Sequence, residues 1–218
     1  MLFRSSLAQA VQGPGESHLA WSADGPVTLL RGTPETWVSS NVVNAVGGTA
    51  LYASGSNSTG NSPHAFAQYQ LVFKTPGAYS IYYRWKADES RTAGDNATAN
   101  SAWIGSTFGA FETPGDQSTY FRTDSNNSSA PANNAFAWRL EPAATLNVGT
   151  AEVGSPVILT LGTREAGMVL DRFVLSTDTT LLPAALDALP DSGTLPPAPE
   201  VTSAVGSAAL NEIGRAHV

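Results

Sequence analysis

The chain has 218 residues, 42% hydrophobic and 13% charged, with no Cys and a formal net charge of −7. That apolar share is enough for a core and excludes wholesale disorder, while no apolar run approaches the roughly 20 residues that span a bilayer. Two Lys and nine Arg against eighteen acids leave no electrostatic footprint for nucleic acid or anionic lipid, and without Cys there is neither a disulfide scaffold nor a thiol nucleophile.

The length suits one ordinary domain with appendages. Residues 1–15 read as an appendage. Ala8-Gln9-Ala10 has the small-residue pattern of a signal-peptidase site, but the apolar stretch before it is short for an export signal. The segment is therefore either a truncated signal or a chance match.

From about residue 16 to 176 there is no long 3.6-residue periodicity, and period-two alternation recurs instead. A first strand region runs through Glu16-Ser17-His18-Leu19-Ala20-Trp21, and Val27–Leu30 and Ala50–Ala53 are short candidates. Tyr69, Leu71 and Phe73 alternate with Gln68, Gln70 and Val72. The turn Thr75-Pro76-Gly77 follows, where Pro presets φ and Gly accepts positive φ. Beyond it Tyr79, Ile81, Tyr83 and Trp85 share one face, expected in the core, while Ser80, Tyr82, Arg84 and Lys86 share the other. Ala102–Ile104, Thr119–Arg122 and Ala135–Leu140 are further candidates, and Val157, Leu159 and Leu161 make another inward face. The last strand, Met168–Ser176, puts Val169, Asp171, Phe173 and Leu175 on one side by simple alternation, the side expected to face inward. Roughly nine or ten short strands without helices predict an all-β fold, an antiparallel β-sandwich or jelly roll. The loops 54–63, 88–100 and 124–134 are long and rich in Ser, Asn and Gly, the kind of segment that carries binding on a rigid scaffold.

Residues 179–211 have linker composition, with prolines at 183, 190, 196, 197 and 199, and room for one or two helical turns between Leu181 and Leu189. Glu212–Val218 reads as a non-native tail, in which case the natural chain continues past residue 211, or as an ordinary tail.

The order of several segments resembles a known family. Gly47-Gly48-Thr49-Ala50-Leu51-Tyr52 comes first, then GAYSIYYRWKA, then Asn100-Ser101-Ala102-Trp103-Ile104-Gly105, then Phe136-Ala137-Trp138-Arg139-Leu140, and finally REAGMVLDRFVLSTD over residues 164–178. Across roughly residues 20–178 this succession resembles carbohydrate-binding modules of families 6 and 35, within the galactose-binding-domain-like sandwiches. The resemblance implies a non-catalytic β-sandwich module over residues 16–178. It further implies a bacterial secreted or cell-surface protein, with a polysaccharide or glycan as partner and further domains fused C-terminal to residue 211.

A sugar offers flat C–H faces and a rim of hydroxyls, so its site needs an aromatic platform and amide or carboxylate groups. On the resemblance, Trp138 stacks on the sugar, Tyr52 faces it across the cleft, and Glu165 supplies a polar contact from the loop before the last strand; the other reading of Trp138 is a core residue of its strand, inward with Phe136, and that of Tyr52 a half-buried strand residue. Asn134 and Trp103 complete the candidate set, Trp103 with packing as its other reading. Glu165 has an ion pair with Arg164, Arg172 or Arg84 as its ordinary alternative. Asp171 on a strand face needs a partner. Arg84 is one answer and a structural Ca2+ the other, with Glu16 as second ligand, although the Glu-x-Glu pair of the resembled modules is absent.

Two other functions fit the same residues. One is a structural or adhesive β-module without a sugar site. The other is a glycoside hydrolase, for which eighteen acids supply candidate pairs but no recognisable catalytic motif.

Overall fold

A computed structural model describes residues 9–25, 27–30, 32, 35–55, 63–88, 101–109, 120–123 and 135–195. Two β-sheets pack face to face. The first contains β1 (Gln9–Val11), β3 (Val27–Leu30), β6 (Phe66–Val72), β8 (Trp103–Gly105), β9 (Tyr120–Arg122), β11 (Pro156–Gly162) and β13 (Gly193–Leu195). Its order is β13-β1-β6-β11-β8-β9, with β3 continuing along the edge of β6 that β1 leaves free. The second contains β2 (His18–Ser22), β4 (Glu35–Asn41), β5 (Thr49–Gly55), β7 (Gly77–Ala87), β10 (Ala137–Val148) and β12 (Met168–Ser176). Its order is β10-β7-β12-β5-β4, with β2 and β5 sharing one edge of β12. The fold is the expected all-β sandwich. One pairing, β1 with β6, is parallel.

The alternation seen in the sequence builds the core. Tyr79, Ile81, Tyr83 and Trp85 of β7 face Tyr69, Leu71 and Phe73 of the other sheet, all almost fully buried. Trp21 stacks on Phe173 at 5.4 Å between ring centroids, and Tyr69 closes the group while its hydroxyl donates to Ala23 O at 2.7 Å. Such ring pairs add to their area burial when offset or tilted.

Simple alternation fails in β12. A bulge between Leu170 and Arg172 shifts its register against β7. Met168, Leu170, Phe173 and Leu175 therefore enter the core, while Asp171 turns to the outer face and meets Arg84. The inward position expected for Val169 and Asp171 is corrected: one extra residue in the strand swaps the face of those before it.

The folded part also exceeds the expected bounds of 16–178. At its start, β1 pairs with β6, and Gln12 is buried against the turn after Phe73. At its end, the segment expected as linker from 179 forms helix α1 (Pro183–Ala188) and β13. Pro183 at the first turn is compatible with a helix because its missing N–H is not needed there. Leu186 is buried with Ala20, Tyr82 and Val174 on the outer face of the second sheet. Proline content hid a strap whose leucines have somewhere to go. Among the described residues no helix is long and apolar enough to cross a membrane.

Candidate functional site

The sequence candidates are spread over several places. Tyr52 lies on β5 between the core residues Leu51 and Ala53, so it faces outward from the second sheet. Its hydroxyl donates to Asp88 Oδ2 at 2.9 Å. Asp88 is held by its own backbone, which donates to Gly167 O at 2.8 Å.

Lys86, two residues earlier on β7, shares this face. It is 8% exposed, and its ammonium sits 5.0 Å from the centre of the Phe136 ring. The Arg84 guanidinium lies 4.8 Å from the same ring. Cations over an aromatic face are favourable and hold the ring in place. Phe136, Lys86, Arg84, Asp88 and Tyr52 thus make one mixed surface of aromatic, donor and acceptor groups.

Asp171 underlies this surface. It is fully buried, accepts from Val46 N at 2.8 Å and is ion-paired to Arg84. Burial pushes its carboxyl above the usual aspartate range, and the Arg84 guanidinium and the Val46 N–H draw it back only in part. Both of its oxygens have protein donors.

Trp138 is half-buried on β10, beside Arg84 of β7. It packs into the cluster of Tyr82, Val174 and Leu186 under α1, and its indole N–H donates to Asp187 Oδ1 at 2.7 Å. The expected facing of Trp138 and Tyr52 across one cleft is corrected. Two strands, β7 and β12, lie between β10 and β5, a separation of about 14 Å at about 4.8 Å per strand. Stacking one ring on both sides needs contacts of about 3.5–4.0 Å each.

Trp103 and Glu165 meet elsewhere. Trp103 is 7% exposed and packs with Phe66 and Leu30 on the outer side of the first sheet. Gly162 makes this possible, since a Cβ there would come within 3.3 Å of the Trp103 Cβ and 2.4 Å of Pro63. The Arg164 guanidinium lies 5.9 Å from the Trp103 ring. It is ion-paired to Glu165, whose other oxygen accepts from Ser101 N at 3.0 Å. Of the three arginines expected for Glu165, Arg164 is the partner. Asn134 lies outside the described residues.

The metal pair is corrected as well. The Glu16 carboxylate accepts from Gly13 N at 2.9 Å, in the turn between β1 and β2. Ser17 and Thr177 are hydrogen-bonded, so Glu16 lies beyond the C-terminal end of β12. Asp171 is six residues up that strand, about 20 Å at about 3.3 Å per residue. Ligands to one Ca2+ lie about 2.3–2.6 Å from it, so these two carboxylates do not share an ion. Among the described residues no group of three His, Asp or Glu is placed to hold a metal.

Lys86, Asp88 and Phe136 were not among the site candidates. The alternation of β7 already placed Lys86 on the outer face with Arg84, which was the available signal. The pairing of Phe136 with two cations comes from strands far apart in sequence.

No family model and no curated protein matches the chain. Among solved structures it is similar to a β-(1,4)-mannanase from Podospora anserina that carries a family 35 module (12% identity, TM-score 0.44). The match covers 77% of this chain and 29% of the mannanase, so the chain spans less than a third of that protein. It is also similar to a family 35 carbohydrate-binding module from Clostridium thermocellum (12% identity, TM-score 0.39), over 73% of this chain and 98% of that one. A third likeness is to the module CsCBM6-3 from Clostridium stercorarium, solved with cellobiose (16% identity, TM-score 0.41), over 73% of this chain and 93% of that one.

Proposed function

We propose that the chain is a non-catalytic glycan-binding module of a larger secreted or surface protein, and that it grips a glycan on the outer face of its second sheet. The observation that carries this reading is the surface from Phe136 to Tyr52. Two half-buried aromatics stand at its margins, with the Lys86 ammonium and the Asp88 carboxylate between them. Aromatic rings take the C–H faces of sugars, and the charged groups take their hydroxyls. The aromatics are three strand spacings apart, about 14 Å, which suits a length of glycan chain laid across the strands rather than one enclosed ring. Glu165 and Asp171 are each locked to an arginine, which favours binding over acid–base catalysis. The module would act by tethering, raising the local concentration of a partner domain at the polysaccharide.

Affinity electrophoresis through gels containing soluble polysaccharides tests this, with and without EDTA. Retardation by one glycan is expected, and it should be lost in Tyr52→Ala or Phe136→Ala proteins whose circular dichroism is unchanged. Trp138→Ala should lower stability and leave retardation in place. Absence of retardation by every glycan would refute the reading and favour a structural or adhesive module. Loss with EDTA would restore a structural Ca2+.

A further inference from the structure

At the far end of the sandwich is a second recess that the face described above does not use. It lies in the open edge where β10 of one sheet and β11 of the other diverge, and has a volume of about 440 Å3. Asn147 near the end of β10, Glu152 in the following turn, Thr107 and Phe108 after β8, and Val157 and Ile158 of β11 line it. Ala78 of β7 pairs with Asn147, eight residues from Lys86, which puts the recess about 25 Å from the first surface.

The walls are fixed from several sides. Gly109 N donates to Ile158 O at 2.7 Å, and Thr160 Oγ1 donates to Gly109 O at 3.0 Å. Phe108 packs on the core ring of Phe73, with centroids 5.5 Å apart. The turn that carries Glu152 is closed by hydrogen bonds from Glu152 N to Gly149 O and from Gly154 N to Phe73 O. The Glu152 carboxylate lies beside Gly149, at 2.7 Å from where a Cβ would stand. Among the described residues the side chains of Thr107, Asn147 and Glu152 have no hydrogen-bond or ion-pair partner.

We propose that this recess is a second ligand site, and that it takes an uncharged sugar ring. Its size falls within the range of small-ligand pockets. The half-buried edge of Phe108 and the β11 side chains offer an apolar wall for a ring face. The Asn147 amide both donates and accepts, and Glu152 accepts from hydroxyls. Among the described residues Glu152 is the one charged group in the lining and no cation is ion-paired to it, so a carboxylated or sulfated sugar is repelled. Two separate sites on one rigid body let a single module hold two points of a polysaccharide, which slows its release without stronger contacts at either. The inference shares with the proposed function the premise that the ligand is a glycan. It does not depend on the Tyr52 surface.

The test is a titration of the 15N-labelled full chain with cellotetraose, mannotetraose, xylotetraose and trigalacturonate, followed by amide chemical shifts. An uncharged oligosaccharide should move the backbone amides of Gly109 and Ile158 and the side-chain amide of Asn147, and trigalacturonate should not. Asn147→Ala and Glu152→Gln, both at solvent-reachable positions, should each weaken that response about tenfold and leave shifts near Lys86 unchanged. Shifts confined to the Tyr52 and Lys86 region would overturn this inference and keep the proposed function. No shift with any sugar would overturn both. An equal response to trigalacturonate, or an undiminished one in both variants, would overturn the uncharged-sugar assignment.

Discussion

Gln12 shows how much one polar side chain can hold. It is 1% exposed, and its carbonyl oxygen accepts from the backbone of Lys74 at 2.8 Å and of Thr75 at 3.1 Å. Its amide donates to Glu16 O at 2.7 Å and to the Tyr79 hydroxyl at 3.1 Å. Gln12→Leu fills the same space and strands those groups. It should cost about 3 kcal/mol, read as a lower urea midpoint with an unchanged slope. Asp171 makes a prediction of a different kind. Burial raises its carboxyl above the ordinary aspartate value. A group that binds its proton more tightly folded than unfolded favours the fold below that value, and the contribution is lost as pH rises through the folded pKa. Asp171→Asn removes this titration and keeps an acceptor for Val46. Urea midpoints at pH 3.5 and 7 should therefore show the variant gaining on the parent as pH rises.

The strap of residues 179–195 is the element whose removal should be felt most. Arg172 is 2% exposed, and its guanidinium is held by Asp191 at 2.7 Å and by the carbonyl of Leu189 at 2.6 Å. Both partners belong to the strap. Ser192 continues it along β2, where its N–H donates to Ala20 O at 2.7 Å and its hydroxyl accepts from Ala20 N at 2.9 Å. A chain ending at Asp178 removes the ion-pair partner and carbonyl acceptors of Arg172 and uncovers Tyr82 and Val174 together with it. It should lose about 3–5 kcal/mol, because the apolar cluster around Leu186 returns to water. Equal urea midpoints for the long and short chains would disprove a structural strap. The strap was hard to read because it runs into a proline-rich stretch, with prolines at 183, 190, 196, 197 and 199, while its burial depends on leucines spaced over one helical turn. Strand β4 was missed for a similar reason: Glu35–Asn41 (ETWVSSN) is largely polar, and only its buried Trp37 marks the inward face.

At the scale of the whole molecule, the fold was legible where alternation ran unbroken. The faces of β6, β7 and β11 in the sequence are the faces in the structure. The sandwich follows from them, because two half-apolar sheets have no other way to bury their inner sides. The site was less legible. The one-residue bulge in β12 reverses Asp171, and the distance between Trp138 and Tyr52 is set by strand order, which no local pattern encodes. The approach of Lys86 and Arg84 to Phe136 likewise joins residues some fifty positions apart.

The pairing of β1 with β13 has one more consequence. Gln9 lies opposite Leu195, Ala10 opposite Thr194 and Val11 opposite Gly193. A force applied between residues 9 and 195 would pull these two short strands apart from that shared end, breaking hydrogen bonds one after another instead of all together. The proposed glycan surface and the strand pair that would meet such a force first thus lie in different parts of the molecule, and a load applied at residues 9 and 195 would act on their lacing before it reached the sheet faces.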